Sequence, residues 1–224
     1  MPEPTGPREA AIVSVNFSWV TRAARVTLAV RHHDVLEHEP MKRILVVGTS
    51  GSGKTTVAQE IASRLNLNHH ASDDFYWQPG WQPAAIDRVD DLLDQVLAEP
   101  SWVLDGNFEH RWEDVWNQAD QIVWLDYSFL RIIRQVASRN VYWLISQRPV
   151  WSGNRMTLFR AVSGIRHSMT SFWRKRSIYP RYIAQLQHTE VVRFYSRHQT
   201  KAWLADLIPE LPNHRLQLTG DARE

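Results

Sequence analysis

Two hydrophobic rhythms alternate along residues 41–207. Short, mainly apolar runs at 43–47, 102–107, 121–126 and 191–195 are rich in Val, Ile, Leu and Trp, and their length suits strands buried on both faces. A weaker run at 67–72 predicts one more strand, ending at Asp73 and Asp74. Between these runs, 55–65, 84–97, 129–145 and 156–186 place apolar residues at three- and four-residue spacing, the period of a helix with one buried side. In 84–97, Ile86, Val89, Leu92, Leu93 and Val96 share a side and the acids take the other. A last helix is expected over 201–207, and Pro180 offers a break in 156–186. Residues 75–83 (Phe-Tyr-Trp-Gln-Pro-Gly-Trp-Gln-Pro) read as an aromatic loop turned at Pro79-Gly80, and 151–155 as a second loop. Five strands separated by helices predict an α/β fold, a parallel sheet with helices on both faces. Residues 1–40 have a different texture: a Pro-rich start, then two weak strands within 11–30. They are expected to be a non-core appendage, with the domain itself running over 41–224.

Length and composition narrow the chemistry. The 224 residues can bury one substantial core. No cysteine is present, which excludes a thiol nucleophile, a disulfide framework and the usual structural zinc site. No run of eighteen apolar residues or secretory leader pattern is seen, so a cytoplasmic protein without a membrane span is expected. The net charge of +2 hides a strong asymmetry. From Tyr127 to Thr189 there is no Asp or Glu, against ten arginines and one lysine, whereas acids outnumber bases over 41–126. The basic stretch is suited to anions.

The most specific signal is Gly48-Thr49-Ser50-Gly51-Ser52-Gly53-Lys54-Thr55, a complete GxxxxGK(S/T) pattern between a predicted strand and a predicted helix. Glycines let successive N–H groups face one anion, and the helix N-terminus adds partial positive charge there. Gly48, Ser50, Gly51, Ser52, Gly53, Lys54, Thr55 and Thr56 are therefore the expected ATP-binding residues, with Lys54 on the β- and γ-phosphates and Thr55 on Mg2+. Asp105, at the end of the 102–107 run and before Gly106, is the second expected Mg2+-site residue. Asp73 is expected to orient or deprotonate an acceptor hydroxyl. Asp74 reads equally well as a helix cap, and His69 and His70 as strand or surface residues. Trp77 and Trp81 are expected in a pocket.

With these residues in view, the chain resembles the adenylate-kinase-like branch of phosphate-loop kinases, particularly the bacterial topology modulation proteins. Val103-Leu104-Asp105-Gly106 is similar to the LDG segment of adenylate kinases, and Val123-Trp124-Leu125-Asp126 followed by a helix ending in Ser138-Arg139 is similar to their fourth strand and the arginine that opens the lid. Phe75 to Trp81, Leu104 to Phe108 and Trp151 to Arg155 resemble stretches of the narrower family. The resemblance implies a P-loop NTPase, kinase-like core with strand order 2-3-1-4-5. Two departures stand out: Asn107-Phe108-Glu109-His110 replaces the aromatic, proline and arginine that follow LDG in adenylate kinases, and the 73–81 loop carries no arginine.

The acid-free stretch is expected to form a helical, Arg-rich lid over about 140–181, with Arg139 at its base and Arg155 reaching the phosphates on closure. Arg160, Lys175 and Arg176 are expected on a solvated helix face. Lys54, Asp73, Arg139 and Arg155 thus form the expected catalytic set. They would transfer the γ-phosphoryl group of ATP to an unidentified small molecule with Mg2+. The alternative is an ATP-dependent regulatory or nucleic-acid-binding protein that uses its arginines and tryptophans on a phosphate backbone.

Overall fold

A computed structural model describes residues 43–207, so the weak strands expected within 1–40 lie outside the described residues. The central strand β1 (Arg43–Gly48) pairs in parallel with β5 (Trp102–Asp105) on one side and β6 (Gln121–Leu125) on the other. The sheet continues with β2 (His69–Ala71) beyond β5 and β7 (Glu190–Phe194) beyond β6. A separate antiparallel hairpin is made of β3 (Trp77–Gln78) and β4 (Gln82–Pro83). The sheet order is β2-β5-β1-β6-β7. Its numbering departs from the expected 2-3-1-4-5 because the two hairpin strands, unforeseen in the sequence, intervene between the second and third strands of the sheet.

The unbroken apolar runs are explained by burial on both faces. Ile44 and Val46 of β1 belong to one core with Val103, Val123 and Leu125, covered by Val57, Ala58 and Ile61 of α1 (Lys54–Leu65), Ile132 and Val136 of α5 (Phe129–Ser146), and Leu204 of α7 (Arg197–Asp206). Leu45 and Val47 face a second core with Trp102, Leu104, Ile122 and Trp124, covered by Leu93 and Val96 of α3 (Ile86–Leu97) and Val115 and Trp116 of α4 (Trp112–Gln118). Alternate residues of one strand thus serve two cores, as the period-two pleat requires.

The 26-residue helix α6 (Leu158–Ile183) serves both cores at once, with Phe172 in the first and Tyr179 in the second. Its buried positions, Ala161, Ser168, Ser171, Phe172, Lys175 and Tyr179, recur at helical spacing. The break that Pro180 offers is not taken: the helix runs on to Ile183, although the proline cannot donate the backbone hydrogen bond of its turn. Ser72–Tyr76 forms a short helix, α2, so Asp73 sits in its first turn rather than at a strand end. Helix α7 starts at Arg197, four residues earlier than expected, because Ser196 and Gln199 form a reciprocal capping box.

Candidate active site

The glycine loop is shaped by close approach. Gly51 has φ 84°, and a Cβ there would lie 2.0 Å from Val136 Cγ2 of α5, so the backbone passes where no side chain fits. Gly53, with φ 89°, is the N-cap of α1. Ser52 N–H donates to Thr49 O and Val57 N–H to Gly53 O. The N–H groups of Gly51, Gly53, Lys54, Thr55 and Thr56 have no backbone acceptor among the described residues. Ser52 is 2% exposed, and its hydroxyl oxygen also lacks a partner. A loop whose donors are left open at a helix N-terminus suits an anion. Ser50 and Thr55 are half-buried, whereas Thr56 is exposed and lines a groove of about 360 Å³ between α1 and α7.

Four of the residues expected to do chemistry form one electrostatic group. Burial lowers Lys54 from the ordinary lysine value, Asp105 and then Asp73 oppose that shift, and Arg139 adds to it. Burial raises the Asp73 carboxyl, with Lys54 opposing, Asp105 reinforcing and Arg139 opposing. Burial likewise lowers Arg139, with Asp73 opposing. Arg139 Nε is buried without a partner, and its guanidinium lies 4.7 Å from the Trp143 ring centre. Asp105, 2% exposed, accepts a hydrogen bond from His69 Nε2 at 2.8 Å. His69 therefore holds the expected metal-site acid from the neighbouring strand, where the sequence suggested only a strand or surface residue. The parallel register that sets His69 against Val103 and Ala71 against Asp105 makes that contact, and a sequence motif does not record it.

Arg155 is not brought into this group. Its side chain is exposed, and its backbone oxygen accepts from the Trp81 indole at 2.9 Å. The loop that carries it clasps the aromatic hairpin instead. Asn154 is buried: its Oδ1 accepts from Trp81 N–H at 2.8 Å, and its Nδ2 donates to Gln78 O at 2.9 Å and Trp151 O at 2.8 Å. Edge-to-face contacts link Trp77 to Trp81, Trp81 to Trp151 and Trp151 to Trp143, so a chain of indoles runs from the hairpin to Arg139.

The solvated face expected for Arg160, Lys175 and Arg176 is corrected at all three. Arg160 donates to Trp81 O at 3.3 Å and lies over the Trp77 and Trp81 rings. Arg176 pairs with Asp126 at 2.8 Å and lies over Phe172. Lys175 is 3% exposed and donates to Gly48 O at 3.3 Å. Each is drawn inward because the acids and carbonyls able to receive a cation lie outside its own acid-free stretch.

The donor set fits a nucleotide carrying its metal. Unpaired Ser52 Oγ, unpaired Arg139 Nε and the open loop amides are groups that phosphate oxygens would satisfy. Thr55 and Asp105 offer a hydroxyl and a carboxylate, and no cluster of three or more His, Asp or Glu able to hold a metal occurs among the described residues. One hydroxyl and one carboxylate suit an ion supplied mainly with phosphate and water oxygens. A cavity of about 890 Å³ lies between α5 and the start of α7, lined by Ser128, Arg131, Arg134, Gln135, Tyr195 and Arg197 among others. Its Gln135 also approaches Gly53.

No protein-family model and no curated protein matches the chain. Among solved structures, it is similar to a sugar kinase from Janibacter sp. HTCC2649, at 17% identity and TM-score 0.41, over 75% of this chain and 92% of that one. It is also similar to shikimate kinase from Bacteroides thetaiotaomicron, at 17% identity and TM-score 0.47, over 74% of this chain and 96% of that one. No described helix is long and apolar enough to cross a membrane.

Proposed function

We propose that this chain is an ATP-dependent kinase of a small hydroxyl-bearing molecule. The observation that carries the reading is the coupled group of Lys54, Asp73, Asp105 and Arg139 around a glycine loop with open donors. Phosphoryl transfer asks mainly for positioning and charge neutralisation. The loop amides and Lys54 would hold the β- and γ-phosphates, and Arg139 would meet charge on the transferring group. Thr55 and Asp105 would hold Mg2+, which when bound neutralises charge between the β- and γ-phosphates. The acceptor oxygen attacks the γ-phosphorus, its proton passes to Asp73, and the bond from the γ-phosphorus to the bridging oxygen breaks, leaving ADP and the phosphorylated acceptor. A carboxyl raised by burial is a better proton acceptor than an ordinary one. The nucleoside is assigned to the cavity lined by Gln135, and the acceptor to the neighbourhood of Asp73.

The adenylate-kinase-like resemblance, the cytoplasmic location and the division into a 1–40 appendage and a 41–224 domain belong to this same proposal. The lid is narrowed: Phe172, Lys175 and Tyr179 lie within 140–181 but are buried in the cores, so closure is assigned to residues 147–157 and the hairpin they clasp. Arg155 would reach the phosphates only by such a movement. The nucleic-acid reading is less well supported, because Arg139, Arg160, Arg174 and Arg176 are engaged with acids or aromatics of the domain.

The test is ADP release from ATP with a panel of nucleosides, nucleoside monophosphates, sugars and hydroxy acids. At least one acceptor is expected to stimulate release, and Asp73→Asn is expected to reduce the stimulated rate about 10²- to 10⁴-fold while sparing ATP binding. Equal loss of ATP binding in Asp73→Asn and Asp105→Asn would contradict the assigned roles.

A further inference from the structure

The basic stretch 127–189 contains ten arginines and a single lysine, and the lysine is the cation driven deepest into the fold. In the run Arg174-Lys175-Arg176 the outer two residues have acids: Arg174 pairs with Glu109 at 2.8 Å and Arg176 with Asp126 at 2.8 Å. Lys175 has none at ion-pair distance among the described residues. It lies on α6 between Phe172 of one core and Tyr179 of the other, which sets it over the end of β1. An ammonium carries three donors, and the hydrogen bond to Gly48 O uses one. Lys54 is held in the same way, by one long contact to Thr49 O at 3.5 Å. Two lysines from different helices therefore rest on consecutive backbone carbonyls at the start of the glycine loop, each with donors unspent.

A buried cation without an anion is unfavourable unless the anion arrives with a ligand. We propose that Lys175 is a second phosphate-binding lysine of this site, meeting the terminal phosphates of a nucleoside triphosphate from the α6 side, opposite Lys54. The proposal rests on the phosphate-loop reading and adds a ligand that no part of the loop motif specifies. The charged groups facing Lys175 are Lys54 from α1, Asp73 from α2, Glu109 from the turn after β5, and Arg174 and His167 from α6 itself. Burial foremost, then Lys54, holds Lys175 well below its ordinary value, with Glu109 and Asp73 opposing and Arg174 reinforcing. His167 is lowered too, by partial burial and then by Lys175, Arg174 and Lys54. A polyphosphate arriving there opposes both shifts, so any change in bound protons on binding is an uptake.

The experiment is calorimetric titration of Mg·ATP into the full chain in two buffers of different ionisation heat, for the native protein and for Lys175→Met, with the thermal midpoint of each. Lys175→Met keeps the apolar length of the side chain and removes the ammonium. The expected result is a loss of ATP affinity of about ten- to a hundredfold, the range for hydrogen bonds to charged groups, with smaller proton uptake and an unfolding midpoint no lower than native. Native affinity with native proton uptake in Lys175→Met would overturn the proposal, as would an affinity loss matched by a lowered midpoint, which marks a structural tether. If the native chain itself fails to bind Mg·ATP, the phosphate-loop reading falls, and the two failures are thereby distinguished.

Discussion

On the proposed mechanism, the buried Asp73 carboxyl trades stability for service as a proton acceptor. Burial raises the carboxyl above its ordinary value of 3.8, so the folded chain binds that proton more tightly than the unfolded chain does. The associated stability is fully present below the unfolded value and is lost as pH rises through the folded one. Two outcomes follow at this scale. Transfer by the native enzyme should rise with pH as Asp73 ionises, with a midpoint above 3.8, and Asp73→Asn should lose that acidic limb. Chemical denaturation above the midpoint should find Asp73→Asn at least as stable as native, since the amide removes a buried charge. A slower and less stable variant would place Asp73 among structural residues instead. Lys54, Asp73 and Asp105 stood out as candidates because each sat at a predicted element end, whereas Arg139, inside the predicted helix 129–145, stood out only through the resemblance. The inward positions of Lys175 and Arg176 were not, because an acid-free window looks solvated until the acids and carbonyls of other elements are brought to it.

The hairpin Trp77–Pro83 shows what a one-dimensional pattern omits at the scale of an element. Its sequence has the Pro-Gly turn, but its strands are two residues each, too short for a period to register. Trp81 adopts φ 58°, a conformation unfavourable for an aromatic side chain, and is held there by Asn154 Oδ1 on its N–H, Arg155 O on its indole and Arg160 on its carbonyl. Asn154→Ala removes three hydrogen bonds and leaves buried partners unpaired, so a destabilisation of about 1–3 kcal/mol and faster amide exchange at Trp81 are expected. Unchanged exchange at Trp81 would show that the indole contacts alone hold the hairpin. Apolar spacing places the start of α7 four residues late, although Ser196-Arg197-His198-Gln199 carries a capping-box pattern. Helix α4 was not expected from the sequence, although Trp112, Val115 and Trp116 stand at helical spacing.

For the whole domain, the parallel sheet with two cores follows from strands apolar on both faces, and that much could be read before any coordinates. The long range of α6 could not, since a helix that serves both cores and reaches the end of β1 depends on where its chain returns. The same architecture gathers the site: β1 delivers the loop, β5 and β2 deliver Asp105 and its His69 partner, and α5 delivers Arg139. The account stands on the loop at 48–55 being a polyphosphate site, and equilibrium binding of adenosine, AMP, ADP and ATP with Mg2+ to the native chain and to Lys54→Ala tests it most directly. Affinity is expected to climb with each added phosphate in the native chain, and the gain from ADP to ATP to vanish in Lys54→Ala with its fold intact. An affinity independent of phosphate number, or one that Lys54→Ala leaves unchanged, would contradict it.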